Sequence, residues 1–181
     1  DFRIENKDLT ANFSFEQDNQ LASLLLQAYP RFSTFNELND LYQALKVRQK
    51  SGADMANTDF DEYLLELNAQ PRSMTSDQRL HGKAVLEKIE DFLAELGAGT
   101  PNAGVALENG CGLGLFIDGF AAHFEQLVVL DLSICYLLLA SKIIDERGIV
   151  NAHLLCGSVE NLPIQDATID LLDRMFLVGW L

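Results

Sequence analysis

Residues 105–114 read Val-Ala-Leu-Glu-Asn-Gly-Cys-Gly-Leu-Gly, and no other stretch of the chain constrains its fold as tightly. A short apolar run ends in a carboxylate, Glu108, and opens into glycines at every second position: Gly110, Gly112 and Gly114. A buried strand that stops at an acid and turns through glycines into a helix is the usual entry to a nucleotide-type site in α/β proteins. The dinucleotide fingerprint G-x-G-x-x-G is not met, because its third glycine would fall at Leu115.

The segments around this run support the same fold class. After residue 104 the chain alternates between short apolar runs and helical patterns. Strands are expected over 105–107, 127–130, 153–156 and 169–172, with helices over 115–124 and 134–147, the second closed by Gly148. Short apolar strands joined by crossover helices make a parallel sheet. Before residue 104 the texture is helical. Residues 1–20 read as polar and extended. A short helix over 21–29 is stopped by Pro30, and Thr34-Phe-Asn-Glu37 forms a capping box. The helix behind it puts Phe35, Leu38, Leu41, Tyr42 and Leu45 on one face. Further helices are expected over 58–67 and 76–96. The fold class is α/β: a Rossmann-like parallel sheet with flanking helices, preceded by a helical N-terminal segment. Residues 1–75 form the extension, a lid or dimerisation element, and residues 76–181 the sheet domain.

Composition narrows the partners. With 181 residues and 48% hydrophobic content, the chain can bury a substantial core. Its 27 acids against 13 bases give a net charge of −14, with no basic stripe. Neither nucleic acid nor an anionic membrane surface suits that field; a neutral or cationic small molecule or a protein does. Three cysteines, Cys111, Cys135 and Cys156, read as small thiols in a reducing, cytoplasmic compartment and not as a disulfide framework. No metal site is expected.

The glycine spacing and the two segments that follow point to one cofactor. Glu-x-Gly-x-Gly-x-Gly suits S-adenosylmethionine, whose amino-acid end carries both an ammonium and a carboxylate. Glu108 at the strand tip is placed to answer the ammonium or a bound water. Glycines let the ligand approach the backbone, and the next helix offers free N–H groups to the carboxylate. Asp131, about twenty residues on, ends the second strand where a ribose-binding acid belongs, with Leu132 beside it for the adenine face. The third segment is Cys-Gly-Ser-Val-Glu-Asn-Leu-Pro-Ile over 156–164, running on to Asp170.

In this order and spacing the three segments resemble the class I S-adenosylmethionine-dependent methyltransferases, and within them the small-molecule group called type 11. The likeness covers about residues 80–181. It implies methyl transfer to a small-molecule acceptor by in-line displacement, with Glu108, Gly110, Cys111, Gly112, Gly114, Asp131, Leu132, Ser158 and Val159 at the cofactor. Two residues depart from the family pattern. Asn109 replaces an apolar residue beneath the loop, and Ser158 replaces an aspartate that accepts from the adenine amino group. The neutral serine is expected to make a weaker contact than the aspartate, so modest cofactor affinity is expected.

No catalytic base is assigned. His81, His123 and His153 all read as surface or packing residues; of the three, His81 stands nearest to a cofactor role, because helices before the first strand often cover the cofactor in the resembling family. Glu160 and Asp166 read as solvated loop charges and Asp170 as an organiser of the loop at the sheet edge. Arg174, Met175 and Trp180 would line an acceptor pocket, a core position being equally open for Trp180. The family's sheet has seven strands and four are read here, so the fold is expected to be incomplete and the chain part of a longer one. The alternative function is a non-catalytic, methyltransferase-like subunit that binds a partner protein; a homodimer through the N-terminal helices is a further expectation.

Overall fold

The computed structural model describes residues 15–52, 87, 91, 104–165 and 167–173. Among them are helices α1 (Phe15–Ala28), α2 (Phe35–Lys50), α3 (Ile117–His123) and α4 (Ile134–Arg147). The strands are β1 (Val105–Asn109), β2 (Gln126–Asp131), β3 (Ala152–Cys156) and β4 (Leu171–Asp173). Glu87 and Asp91 are helical, inside the helix expected over 76–96. The rest of that helix, and the one expected over 58–67, lie outside the described residues.

The four strands form one parallel sheet in the order β3-β2-β1-β4. Val105 is in register with Gln126, and Glu108 with both Val129 and Asp173. β1 therefore lies between the strand that follows it and the last strand, and the direction of winding reverses there. In open α/β sheets the ligand crevice lies at the carboxyl ends of the strands beside such a reversal.

Alternate residues of a strand point to opposite faces. Ala106, Leu127 and Val129 pack with Phe116, Ile117, Phe120, Phe124, Leu137 and Ala140 on the helical face. Leu107, Val128 and Leu130 face the other way, where Leu155, Leu162, Ile164 and Ile169 cover them. The connection from β3 to β4 thus takes the face opposite α3 and α4, as a reversed right-handed winding requires. At the end of the short helix α3, Ala121 O and the O of Phe124, which follows the helix, accept from the Asn151 side chain. Gly148 closes α4 in the left-handed conformation (φ 64°), its N–H bonded back into the last turn.

α1 begins at Phe15, six residues earlier than the pattern suggested, so the segment read as extended is helical from that point. The apolar spacing Leu21, Leu24, Leu25, Ala28 selects one face, and that face extends N-terminally through Asp18. Pro30 lies in a 3-10 turn, Tyr29–Arg31, that carries the chain towards α2. The capping box is formed: Thr34 Oγ1 accepts from the Glu37 N–H, and Glu37 Oε2 from the Thr34 N–H.

α1 and α2 bury Leu25, Leu38, Leu41 and Leu45 completely, together with Cys135 and Leu139 of α4. Each fully buried leucine contributes about 1.5–3 kcal/mol. Polar contacts clamp the far end of this layer. Tyr29 Oη donates to Asp145 at 2.6 Å, Lys142 Nζ donates to Tyr29 O and stands over its ring, and the Phe35 N–H donates to Glu146.

Candidate functional site

The carboxyl ends of β1, β2 and β3 bring the three sequence segments together. Gly110 and Cys111 both donate their N–H to Leu130 O, so the loop leaving β1 folds directly over the end of β2. Gly110, Gly112 and Gly114 all have positive φ (79°, 51° and 68°), the left-handed region that glycine alone enters without penalty. Their surroundings differ. A Cβ on Gly114 would lie 2.8 Å from Ile117 Cδ1 and 3.0 Å from Ile143 Cδ1, so this glycine serves packing. A Cβ on Gly112 would meet nothing within 4 Å. Gly112 therefore presents bare backbone to open space.

Asp131 stands across from this loop. Its Oδ2 accepts the Gly112 N–H at 2.9 Å and the Cys111 thiol at 3.7 Å, and its Oδ1 accepts the Ser133 N–H at 2.9 Å. Burial pushes its carboxyl above the usual range, and the donors from Ser133, Gly112 and Cys111 pull it back. Both lone pairs of Oδ2 are taken by these donors, while Oδ1 keeps one for another donor.

Glu108 is buried at the tip of β1, only 2% exposed. Its charge and that of Asp131 both bear on the Cys111 thiol, which burial first and these two carboxylates next hold well above the ordinary thiol range. Cys111 is thus a small apolar residue beneath the loop and not a nucleophile. Asn109, the departure noted in the sequence, is 5% exposed, and its Oδ1 has no hydrogen-bond partner among the described residues.

The third segment joins through the backbone. The Gly157 N–H donates to Asp131 O at 3.1 Å, which sets Ser158 and Val159 beside the end of β2. Ser158 caps a single 3-10 turn, Val159–Asn161, its Oγ accepting the Glu160 N–H at 3.2 Å. That hydroxyl retains its proton to donate. Val159 is 40% exposed. Leu132 O accepts the exposed Cys156 thiol at 3.7 Å.

Residues 106–178 match the family model of a methyltransferase domain. Over this segment the chain is similar to methyltransferase domains. No curated protein matches the chain significantly.

Other residues singled out in the sequence lie away from this crevice. Asp170 precedes β4 and does not lie within it. Its Oδ2 accepts the Val105 N–H at 2.8 Å and its own N–H donates to Val105 O, so it organises the start of β1, at the opposite end of the sheet from Glu108. His153 pairs with Gln126 near the starts of β3 and β2, and His123 Nδ1 bonds Gly119 O inside α3. Neither reaches the crevice. α3 starts at Ile117, two residues later than expected, because Gly114 accepts a turn of the loop first: its N–H bonds Cys111 O and its carbonyl receives the Ile117 N–H. His81, Asp166, Arg174, Met175 and Trp180 lie outside the described residues. Among the described residues no three His, Cys, Asp or Glu side chains group as metal ligands, and no helix is long and apolar enough to cross a membrane.

Two residues at the site carry no sequence signal of the family kind. Ser133 caps α4, its Oγ accepting from the Tyr136 N–H. Asp18 of α1 accepts from Ser133 Oγ at 2.9 Å and from the Ile134 N–H at 3.1 Å. The helical spacing of Asp18 with Leu21, Ala22 and Leu25 was a usable clue to its inward position.

Proposed function

We propose that the domain binds S-adenosylmethionine in the crevice at the ends of β1, β2 and β3 and transfers its methyl group to a small-molecule acceptor. The observation that carries the reading is the pairing of Gly112 with Asp131. Bare backbone facing open space lies against a half-buried carboxylate whose Oδ1 still has a lone pair to offer. A donor set of this kind suits a ribose diol, and Glu108 suits an ammonium.

S-adenosylmethionine, when bound, supplies a methyl group already activated on a sulfonium. The chain's residues bind and orient. Asp131 accepts from the ribose hydroxyls, Glu108 balances the amino-acid end, Leu132 and Val159 provide apolar walls for the adenine, and Ser158 offers a neutral polar contact at its edge. Positioning a nucleophile in line and keeping water out account for the rate, so no base is required unless the acceptor carries a proton of high pKa. The strong net negative charge favours a neutral or cationic acceptor over an anionic one.

Isothermal titration of the full chain with S-adenosylmethionine and with S-adenosylhomocysteine tests the reading. Saturable binding of both, lost in Asp131→Ala, is expected. A folded chain that binds neither overturns it. Binding with no methyl transfer to any member of a panel of amine, hydroxyl and thiol acceptors would favour the non-catalytic subunit.

A further inference from the structure

Asp18 belongs to the N-terminal helix, yet it is the outer end of a hydrogen-bonded chain that reaches the glycine loop. Its Oδ1 accepts from Ser133 Oγ (2.9 Å), the Ser133 N–H donates to Asp131 Oδ1 (2.9 Å), and Asp131 Oδ2 accepts the Gly112 N–H (2.9 Å). Its Oδ2 meanwhile accepts the Ile134 N–H (3.1 Å), and its own carbonyl accepts the Cys135 thiol (3.6 Å). Two carboxylates therefore hold the successive N–H groups of Ser133 and Ile134, Asp131 from within the sheet and Asp18 from α1. That turn leads from Asp131 into α4. A second contact runs alongside: Leu113 of the glycine loop packs on the core formed by α1, α2 and α4.

We propose that Asp18 is a positioning residue for the crevice: docking of α1 on the first turn of α4 sets the orientation of the Asp131 carboxylate and, through it, of Gly112. The proposal rests on the cofactor reading for its effect on binding but not for the coupling itself. Asp18 touches neither cofactor nor acceptor in this scheme. It acts by fixing Ser133, and hydrogen-bonded partners one shell out orient the residues that do the binding. Loss of the Asp18 contacts with Ser133 and Ile134 therefore loosens the site in the sheet domain, which makes the N-terminal extension part of the binding apparatus.

The test uses the full chain with two substitutions. Asp18→Asn removes the charge and one acceptor while keeping size. Leu25→Val trims the buried face of the same helix without touching the hydrogen-bonded chain. Amide exchange is followed by NMR without ligand, and S-adenosylmethionine affinity by calorimetry. Asp18→Asn should speed exchange of the Gly112 amide and weaken cofactor affinity, each by about fivefold or more, whereas Leu25→Val should do neither. An unchanged Gly112 amide in Asp18→Asn, or an equal rise in Leu25→Val, overturns the proposal. Faster Gly112 exchange in Asp18→Asn, alongside a wild-type chain that binds no S-adenosylmethionine, upholds the coupling and overturns the cofactor reading.

Discussion

Asp131 Oδ2 accepts the Gly112 N–H at 2.9 Å, so the acid that ends β2 holds the loop that leaves β1. The two residues are 19 apart in sequence and belong to adjacent parallel strands' ends. Their contact gives the crevice a fixed floor before any ligand arrives, and it leads to separable consequences for the glycines, the acid and the thiols.

Gly112→Ala and Gly114→Ala should divide binding from stability. Both positions have positive φ, which costs an alanine about 1 kcal/mol in either case. At Gly114 the new methyl also meets Ile117 and Ile143, and overpacking adds about 1–3 kcal/mol. Thermal denaturation is expected to show the larger loss for Gly114→Ala. Titration is expected to show the larger loss of S-adenosylmethionine affinity for Gly112→Ala, whose methyl projects into the open space.

Asp131→Asn should weaken cofactor binding about 10- to 100-fold, the value of a charge-assisted hydrogen bond to a half-buried acceptor. In the wild type, burial raises the Asp131 carboxyl above its usual range. The folded chain therefore holds this proton more tightly than the unfolded chain does. The stability that protonation contributes is fully present below the unfolded value and is lost as pH rises through the folded one. Affinity follows the opposite course: it falls as pH drops through the raised value, beginning above the ordinary carboxylate range. Titrations at descending pH should show this decline in the wild type and a flatter profile in Asp131→Asn.

Alkylation with iodoacetamide should label Cys156 first. Its thiol is exposed, whereas Cys111 and Cys135 are 4% and 0% exposed. Burial raises all three thiols above their usual range, so labelling of the native chain at neutral pH should be slow. Saturating S-adenosylmethionine should slow it further, since the Cys156 thiol lies against Leu132 O beside the crevice. Peptide mass spectrometry that finds Cys111 labelled as fast as Cys156 would contradict the arrangement beneath the loop.

Thr34→Ala should lower stability by about 1 kcal/mol, because it removes the acceptor for the Glu37 N–H at the start of α2. Urea denaturation should show the midpoint shift. Cofactor affinity should stay at the wild-type value, since Thr34 makes no contact in the chain from Asp18 to Gly112.

Features set by nearest neighbours were legible in the sequence. The apolar runs of β1 and β2, the capping box at Thr34, the left-handed end of α4 at Gly148 and the positive-φ glycines of the loop all follow from local chemistry. Boundaries were less legible where tertiary contacts extend an element. α1 gains its first turns, polar in sequence, because Asp18 finds partners at the start of α4. α3 starts two residues late because the loop uses Gly114 for itself.

The sequence alone determined the class of fold and the chemistry available at its crevice, since periodicity, glycines and strand-ending acids are properties of short segments. Only the tertiary structure decided what Asp131 grips, why Gly112 and Gly114 differ, and that Asp18 reaches Ser133 across 115 residues of chain. Such pairings depend on the relative placement of packed elements. That placement is fixed by burial of the α1, α2 and α4 leucines, an energy spread over many residues and written in no single motif.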